Sequence, residues 1–232
     1  IQSAVEIKAG DSSVTANPDN TQQPQNVPKT DKPKVEVFVF SYCPYGLQFE
    51  KAIMPVYNLL KNKADINIVF IGAMHGEFEK AESLRQIAIQ ELYGNDKLWQ
   101  YLSYFVANTT IGDGNCRQDS KCTDPIVNAI MTKIGVDKNK VTNFMTTKSE
   151  AIYNTQGARA SELGISGSPD VVINGVELQV GRSPDAVKTA ICGAFTTTPS
   201  ECSQTLSTAQ ASAWFGSSDT PAETVHSSGS CS

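Results

Sequence analysis

The stretch Val35-Glu36-Val37-Phe38-Val39-Phe40-Ser41-Tyr42-Cys43-Pro44-Tyr45-Gly46 decides how this chain is read. Its first half is a β-branched and aromatic run of the length that suits a strand buried in the middle of a sheet. The run stops at Ser41-Tyr42, and Pro44 then stands where a helix would begin, a position at which the missing proline N–H costs nothing. Leu47, Ile53, Val56, Leu59 and Leu60 recur near helical spacing as far as about Asn62, with Pro55 expected to kink the helix. Cys43 falls at the junction. The unpaired N–H groups of a first helical turn point toward its sulfur, and those donors together with the helix dipole favour a thiolate. The alternative at such a place is an inert buried thiol, or one half of a structural disulfide.

Working outward, Ile66-Asn67-Ile68-Val69-Phe70-Ile71 reads as a second strand, which makes a β-α-β unit with parallel strands. A region of little strand character follows, from about 77 to 164, in which helices are expected at 77–93, 96–107, 125–134, 138–146 and 149–163. Trp99, Tyr101, Tyr104 and Phe105 read as the apolar face of one of them. Strands resume at Asp170-Val171-Val172-Ile173 and return as Val176-Glu177-Leu178-Gln179-Val180. The Asn174-Gly175 pair between them marks a hairpin, because both central positions of a type I′ turn need positive φ. A last helix starts with Ser183 as cap and Pro184 at its first position. The order is strand, helix, strand, helical insert, hairpin, helix, an α/β class with no internal repeat.

The ends differ in composition. Residues 1–33 are rich in Asn, Gln, Asp, Thr, Ser and Pro and read as a polar linker or stalk, with one alternating segment, Ala4-Val5-Glu6-Ile7-Lys8-Ala9, that would be a short strand on a neighbouring sheet edge. The folded domain is placed at 34–207, and 208–232 read as a polar, low-complexity tail in which Trp214-Phe215 needs somewhere to dock. The chain has 232 residues and a formal net charge of -5, so it carries no basic field to gather nucleic acid. No apolar run is long enough for a transmembrane span, and a chain that starts at Ile1 without a signal-like segment is expected to be a processed one.

Six cysteines occur, at 43, 116, 122, 192, 202 and 231, with no C-x-x-C pair and only His75 and His226 as imidazoles. No zinc or other metal site is expected, and no cofactor is called for. The gaps Cys116 to Cys122 and Cys192 to Cys202 are short and filled with turn-forming residues, so both pairs read as structural disulfides. That usage points to an extracytoplasmic setting: secreted, periplasm-like or at the cell surface. Cys43 and Cys231 are left over, to bond within the chain or to link copies of it. Asn108-Thr109-Thr110 is a candidate glycosylation acceptor. His75 reads first as a loop or capping histidine, with a role as base the sharper alternative.

Far from Cys43 in sequence lies Gly164-Ile165-Ser166-Gly167-Ser168-Pro169, directly before a buried strand. With Tyr42-Cys43-Pro44-Tyr45-Gly46 it makes the chain resemble the thioredoxin superfamily, in particular its DsbA-like branch with a helical insert, over about residues 34–195. The resemblance implies a thioredoxin-like fold, a redox cysteine at Cys43 and a cis-proline at Pro169 beside it. It further implies that Pro44, Tyr45, Ser168 and Pro169 line the site where a polypeptide pairs as an added strand. One departure matters: where dithiol members carry the resolving cysteine, this chain has Gly46. Asp170 is a second oddity, since a carboxylate near the sulfur would raise the thiol pKa.

Two functions follow. The first is an extracytoplasmic thiol–disulfide exchange protein of monothiol type, an oxidoreductase or isomerase acting through Cys43 on protein thiols or disulfides, with release completed by an outside thiol or another cysteine of the chain. The alternative is a non-catalytic structural or adhesive surface or filament subunit on the same scaffold, assembled with copies of itself through its N-terminal strand, its C-terminal tail and intermolecular disulfides. A third reading is a binding domain that uses the groove without redox change.

Overall fold

Successive side chains of a strand point to opposite faces, so a strand in the middle of a two-faced sheet is buried on both, and any charge in it must be paired. The computed structural model, which describes residues 26–219 and 229–232, shows this in β1 (Lys34–Val39), where only Lys34 is exposed and the one buried charge, Glu36, is paired with Lys34 and Arg159. The segment Val5–Ala9 lies outside the described residues. β2 (Asp65–Phe70) runs parallel to β1, with Lys34 beside Asp65 and Val39 beside Phe70. On the other side β3 (Asp170–Ile173) pairs antiparallel with β1, and β4 (Val176–Leu178) with β3, giving the order β2-β1-β3-β4. Asn174 and Gly175 join the last two strands with φ of 49° and 84°, the positive values that the hairpin requires.

The two faces are covered differently. Val35, Val37 and Val39 pack with Ile53, Val56 and Leu60 of α1 (Pro44–Leu60) and with Val187 and Ile191 of α8 (Pro184–Cys192). Phe38, Val69 and Val172 face Ala160 of α7 (Glu150–Glu162) and Ile165 beyond it. The insert supplies α2 (Glu77–Tyr93), α3 (Asn95–Ala107), α4 (Thr109–Gly112), α5 (Ser120–Lys133) and α6 (Lys138–Phe144). A π turn over Met145–Ser149 runs α6 into α7, which the sequence reading had separated. α4 was not foreseen; Asn108, the candidate glycosylation residue, caps it by accepting the Ile111 N–H. α1 continues through Pro55.

Packed structure does not stop at residue 207. Beyond α8 the chain crosses the outer side of α1, where Gln48 donates to the Ala211 carbonyl at 2.7 Å and Lys51 Nζ to those of Ser212 and Trp214 at 2.6 and 2.9 Å. The Trp214 N–H donates to Pro44 O and that of Gly216 to Val106 O. Phe215 is buried, its ring 5.2 Å from that of Phe105 and 5.6 Å from that of Tyr42. A polar segment is thus held by α1 side chains that seize its backbone carbonyls, with one aromatic anchor.

Candidate active site

The turn Phe40–Cys43 links β1 to α1 and is held by hydrogen bonds from its backbone and from Ser41. The Cys43 N–H donates to Phe40 O at 3.0 Å. Ser41 Oγ donates to Glu79 O at 3.0 Å, and the Tyr42 N–H to Glu79 Oε1 at 2.8 Å. Glu79, fully buried in the first turn of α2, also accepts the His75 N–H at 2.8 Å and lies 3.0 Å from His75 Nδ1. His75 therefore closes the loop ahead of α2 while Glu79 clamps the turn that carries Cys43.

Cys43 caps α1, its Sγ 3.5 Å from the Gly46 N–H, and it has no exposed surface. The same sulfur lies 3.2 Å from the carbonyl oxygen of Ser168, so two segments 125 residues apart meet at one point. The Ser168–Pro169 bond is cis. Ser168 Oγ accepts the Phe40 N–H at 3.1 Å, which ties the loop before β3 to the end of β1. Gly46 sits against that hydroxyl: a Cβ there would come 2.8 Å from Ser168 Oγ and 3.4 Å from Cys43 Cβ. The position that bears a resolving cysteine in dithiol relatives thus has no space for any side chain while Ser168 keeps its bond.

Cys43 is bonded to Cys231, 188 residues away, with 6.1 Å between the Cα atoms. The tail pairs through a single antiparallel bridge: Cys231 N–H donates to Ser168 O at 3.0 Å and Ser168 N–H to Cys231 O at 2.9 Å. Ser230 Oγ adds a donor to Ser168 O at 3.3 Å. Arg182, buried between β4 and α8, donates to Gly229 O and, at 3.1 Å, to Gln48 Oε1, with its guanidinium 5.2 Å from the centre of the Tyr45 ring. The remaining cysteines are bonded as Cys116–Cys122 and Cys192–Cys202, so none of the six is free.

This architecture is that of solved bacterial proteins. MdbA, a thiol-disulfide oxidoreductase from Actinomyces oris, superimposes with a TM-score of 0.53 at 14% identity, covering 73% of this chain and 83% of that one. BdbD from Bacillus subtilis, in its oxidised form, matches at 0.50 and 16% identity, over 72% of this chain and 90% of that one. The chain has the thioredoxin fold in its DsbA-like form. No family model matches it, and no curated protein does.

Within this thioredoxin fold, Pro44 and Tyr45 open α1 beside the tail, and Pro169 precedes β3. Asp170 turns its carboxylate toward Gly167 and adds to the burial that raises the Glu177 carboxyl. Asn108, Cys116, Cys122, Cys192 and Cys202 belong to other parts of the surface framework. Among the described residues no group of three or more His, Cys, Asp or Glu could hold a metal, and no helix is long and apolar enough to cross a membrane.

Four residues at or near the site were missed from sequence: Glu79, Arg182 and the pair Glu50-Lys51. Glu50 is fully buried in α1, with Oε2 unpartnered. Burial, and then the charge of Glu82, push its carboxyl up to about 8 against the pull of Lys51. Lys51 is pushed down to about 8 by burial, opposed by Glu50. A signal existed: Glu50 lies three residues from both Leu47 and Ile53, inside the apolar stripe of α1.

Proposed function

We propose that this chain is a thiol–disulfide exchange protein of an oxidising, extracytoplasmic space, and that Cys43 and Cys231 are its working pair. The observation that carries the reading is the placement of the Cys43 sulfur at the first turn of α1, against the Ser168 backbone, where the cysteine-bearing tail is paired and bonded to it. The motif is monothiol in the sense that Gly46 replaces a resolving cysteine; the second sulfur comes from the tail. Three in-chain disulfides fit a compartment outside the reducing cytosol.

Exposure orders the steps. Cys43 is covered and Cys231 is only half-buried, so a partner thiolate attacks Cys231 Sγ. A bond forms between the partner sulfur and Cys231, the Cys43–Cys231 bond breaks, and its electron pair leaves on Cys43. The Gly46 N–H and the start of α1 stabilise that thiolate. A second partner thiolate then attacks the partner's own sulfur in the mixed disulfide and releases Cys231. The partner's two thiols become a disulfide, the chain's disulfide becomes two thiols, and two electrons have moved. Reduction of a partner disulfide takes a second route from the dithiol form: with the tail out of the groove, the Cys43 thiolate attacks the partner disulfide, forms a mixed disulfide on Cys43 and expels one partner thiolate, and Cys231 then attacks the Cys43 sulfur, expels the second partner thiolate and restores the Cys43–Cys231 bond.

The test is trapping. In the Cys231→Ser chain a disulfide-linked partner should accumulate on Cys43, and Cys43→Ser should abolish that adduct. A Cys43 that stays unreactive in the folded Cys231→Ser protein contradicts the proposal. The second reading, a structural subunit linked through its tails, has less support, because the Cys43–Cys231 bond uses within one chain both cysteines that would join copies. A non-reducing gel ladder that collapses with reductant would revive it.

A further inference from the structure

Resting on that exchange reading, we propose that the groove beside Pro169 selects an extended partner segment with glycine two residues before its cysteine. In this view Gly229-Ser230-Cys231 is the chain's own copy of that pattern, and Arg182 and Tyr45 are the residues that read it.

The reciprocal bonds between Cys231 and Ser168 set direction and register, but backbone pairing is blind to side chains. Discrimination must come from what lies beside the paired residue. Two residues back, Gly229 O accepts from the buried Arg182 guanidinium, and the Gly229 Cα lies flat on the Tyr45 ring. A Cβ there would fall on the ring itself, meeting Cζ, Cε1 and Cε2. The ring is not free to swing aside without cost, because Arg182 stacks over it and is itself braced by Gln48, which is 2% exposed. Between glycine and cysteine the groove takes a small polar residue. Ser230 Oγ reaches the Ser168 carbonyl, and a side chain on Gly167 would meet that hydroxyl at 2.9 Å.

A bulkier residue in place of glycine would have to displace Tyr45 and pull its carbonyl from Arg182. Buried donors left unpaired at such a contact typically cost on the order of tenfold to a hundredfold in affinity. The tail, carrying the favoured pattern on the same chain, holds the groove until a partner of the same pattern takes it.

The experiment uses the full-length Cys231→Ser chain, in which Cys43 is a free thiol. Two five-residue peptides, one with Gly-Ser-Cys and one with Val-Ser-Cys at its centre, carry their cysteine as a mixed disulfide with thionitrobenzoate. Attack by the Cys43 thiolate on the peptide sulfur forms the peptide–Cys43 disulfide and expels coloured thionitrobenzoate, followed by absorbance and by the mass of the adduct. The glycine peptide should react about tenfold faster or more, and Tyr45→Ala should bring the two rates together. Equal rates in the parent overturn the proposal. Reaction with neither peptide overturns the exchange reading beneath it and the proposal with it. A second measurement needs no change to the groove. In the otherwise unaltered chain, Gly229→Val should shift the Cys43–Cys231 equilibrium with glutathione about tenfold toward the reduced form; an unchanged equilibrium also overturns the proposal.

Discussion

The two halves of the candidate site are held by different physics. Cys43 stands on a turn whose surroundings are core: β1 beneath it, α1 ahead of it, and Glu79 and Ser168 closing its backbone groups. Cys231 is held at its edge by two backbone bonds, a serine hydroxyl, one arginine and the disulfide. The first half is built into the sheet and its core, whereas no residue of 229–232 belongs to a strand of the sheet or to the hydrophobic core. That asymmetry is what an exchange reaction needs, a fixed sulfur that forms a stabilised thiolate and a partner sulfur that comes and goes.

The strongest attack on this comparison is to loosen the region it calls permanent. Phe215 anchors the crossing segment between Tyr42 and Phe105, and Phe215→Ala should cost roughly 3–5 kcal/mol, the usual range for a buried phenylalanine. Denaturant titration measures it. A loss well under 1 kcal/mol would show that the segment over α1 is not part of the core.

A smaller effect tests the link between Gly46 and Ser168. Gly46→Ala places a methyl 2.8 Å from Ser168 Oγ and should destabilise by about 1–3 kcal/mol. Ser168→Ala costs the Phe40 N–H its acceptor, yet it removes the atom that the methyl strikes. The double variant should therefore be more stable than the sum of the single losses implies. Strict additivity in that cycle would mean the two residues do not share the space.

A further prediction concerns pH. The Glu50 carboxyl is raised from 4.5 to about 8, so between those values the unfolded chain gives up its proton first and stability falls as pH rises. Lys51 is lowered from 10.5 to about 8, so from about 8 to 10.5 the unfolded chain keeps the extra proton and stability rises with pH. Melting curves should show a minimum near their meeting point. Glu50→Gln should flatten the lower limb and, by removing the charge that holds Lys51 up, start the upper one at lower pH; an unchanged lower limb would mean the buried carboxyl is not the cause.

These contrasts also explain what could be read from residues alone. The strand Val35–Phe40, the helix beginning at Pro44 and the Asn174-Gly175 hairpin rest on local patterns of periodicity, capping and turn chemistry, whereas the meeting of Cys43 with Ser168-Pro169 was implied only by the family resemblance. The docking of 211–216 does not, because Gln48 and Lys51 grip carbonyl oxygens that every residue possesses, leaving no mark in the tail's own sequence. Arg182 was invisible for the same reason. Its ligand is the backbone of Gly229, and nothing in a lone arginine between a hairpin and a helix announces that. The partner of Cys43 stayed open between Cys231 of the same chain and that of another, since spacing over 188 residues carries no geometric information.

Graded reduction followed by alkylation and mass mapping tests the central claim most directly. Native protein should show no reactive thiol, and mild dithiol reductant should open Cys43–Cys231 first, with Cys116–Cys122 and Cys192–Cys202 still closed and the circular dichroism unchanged. If Cys43 becomes alkylatable only when the fold is lost, or if it is found bonded to any cysteine other than Cys231, a fixed sulfur with a removable partner is not what this molecule has.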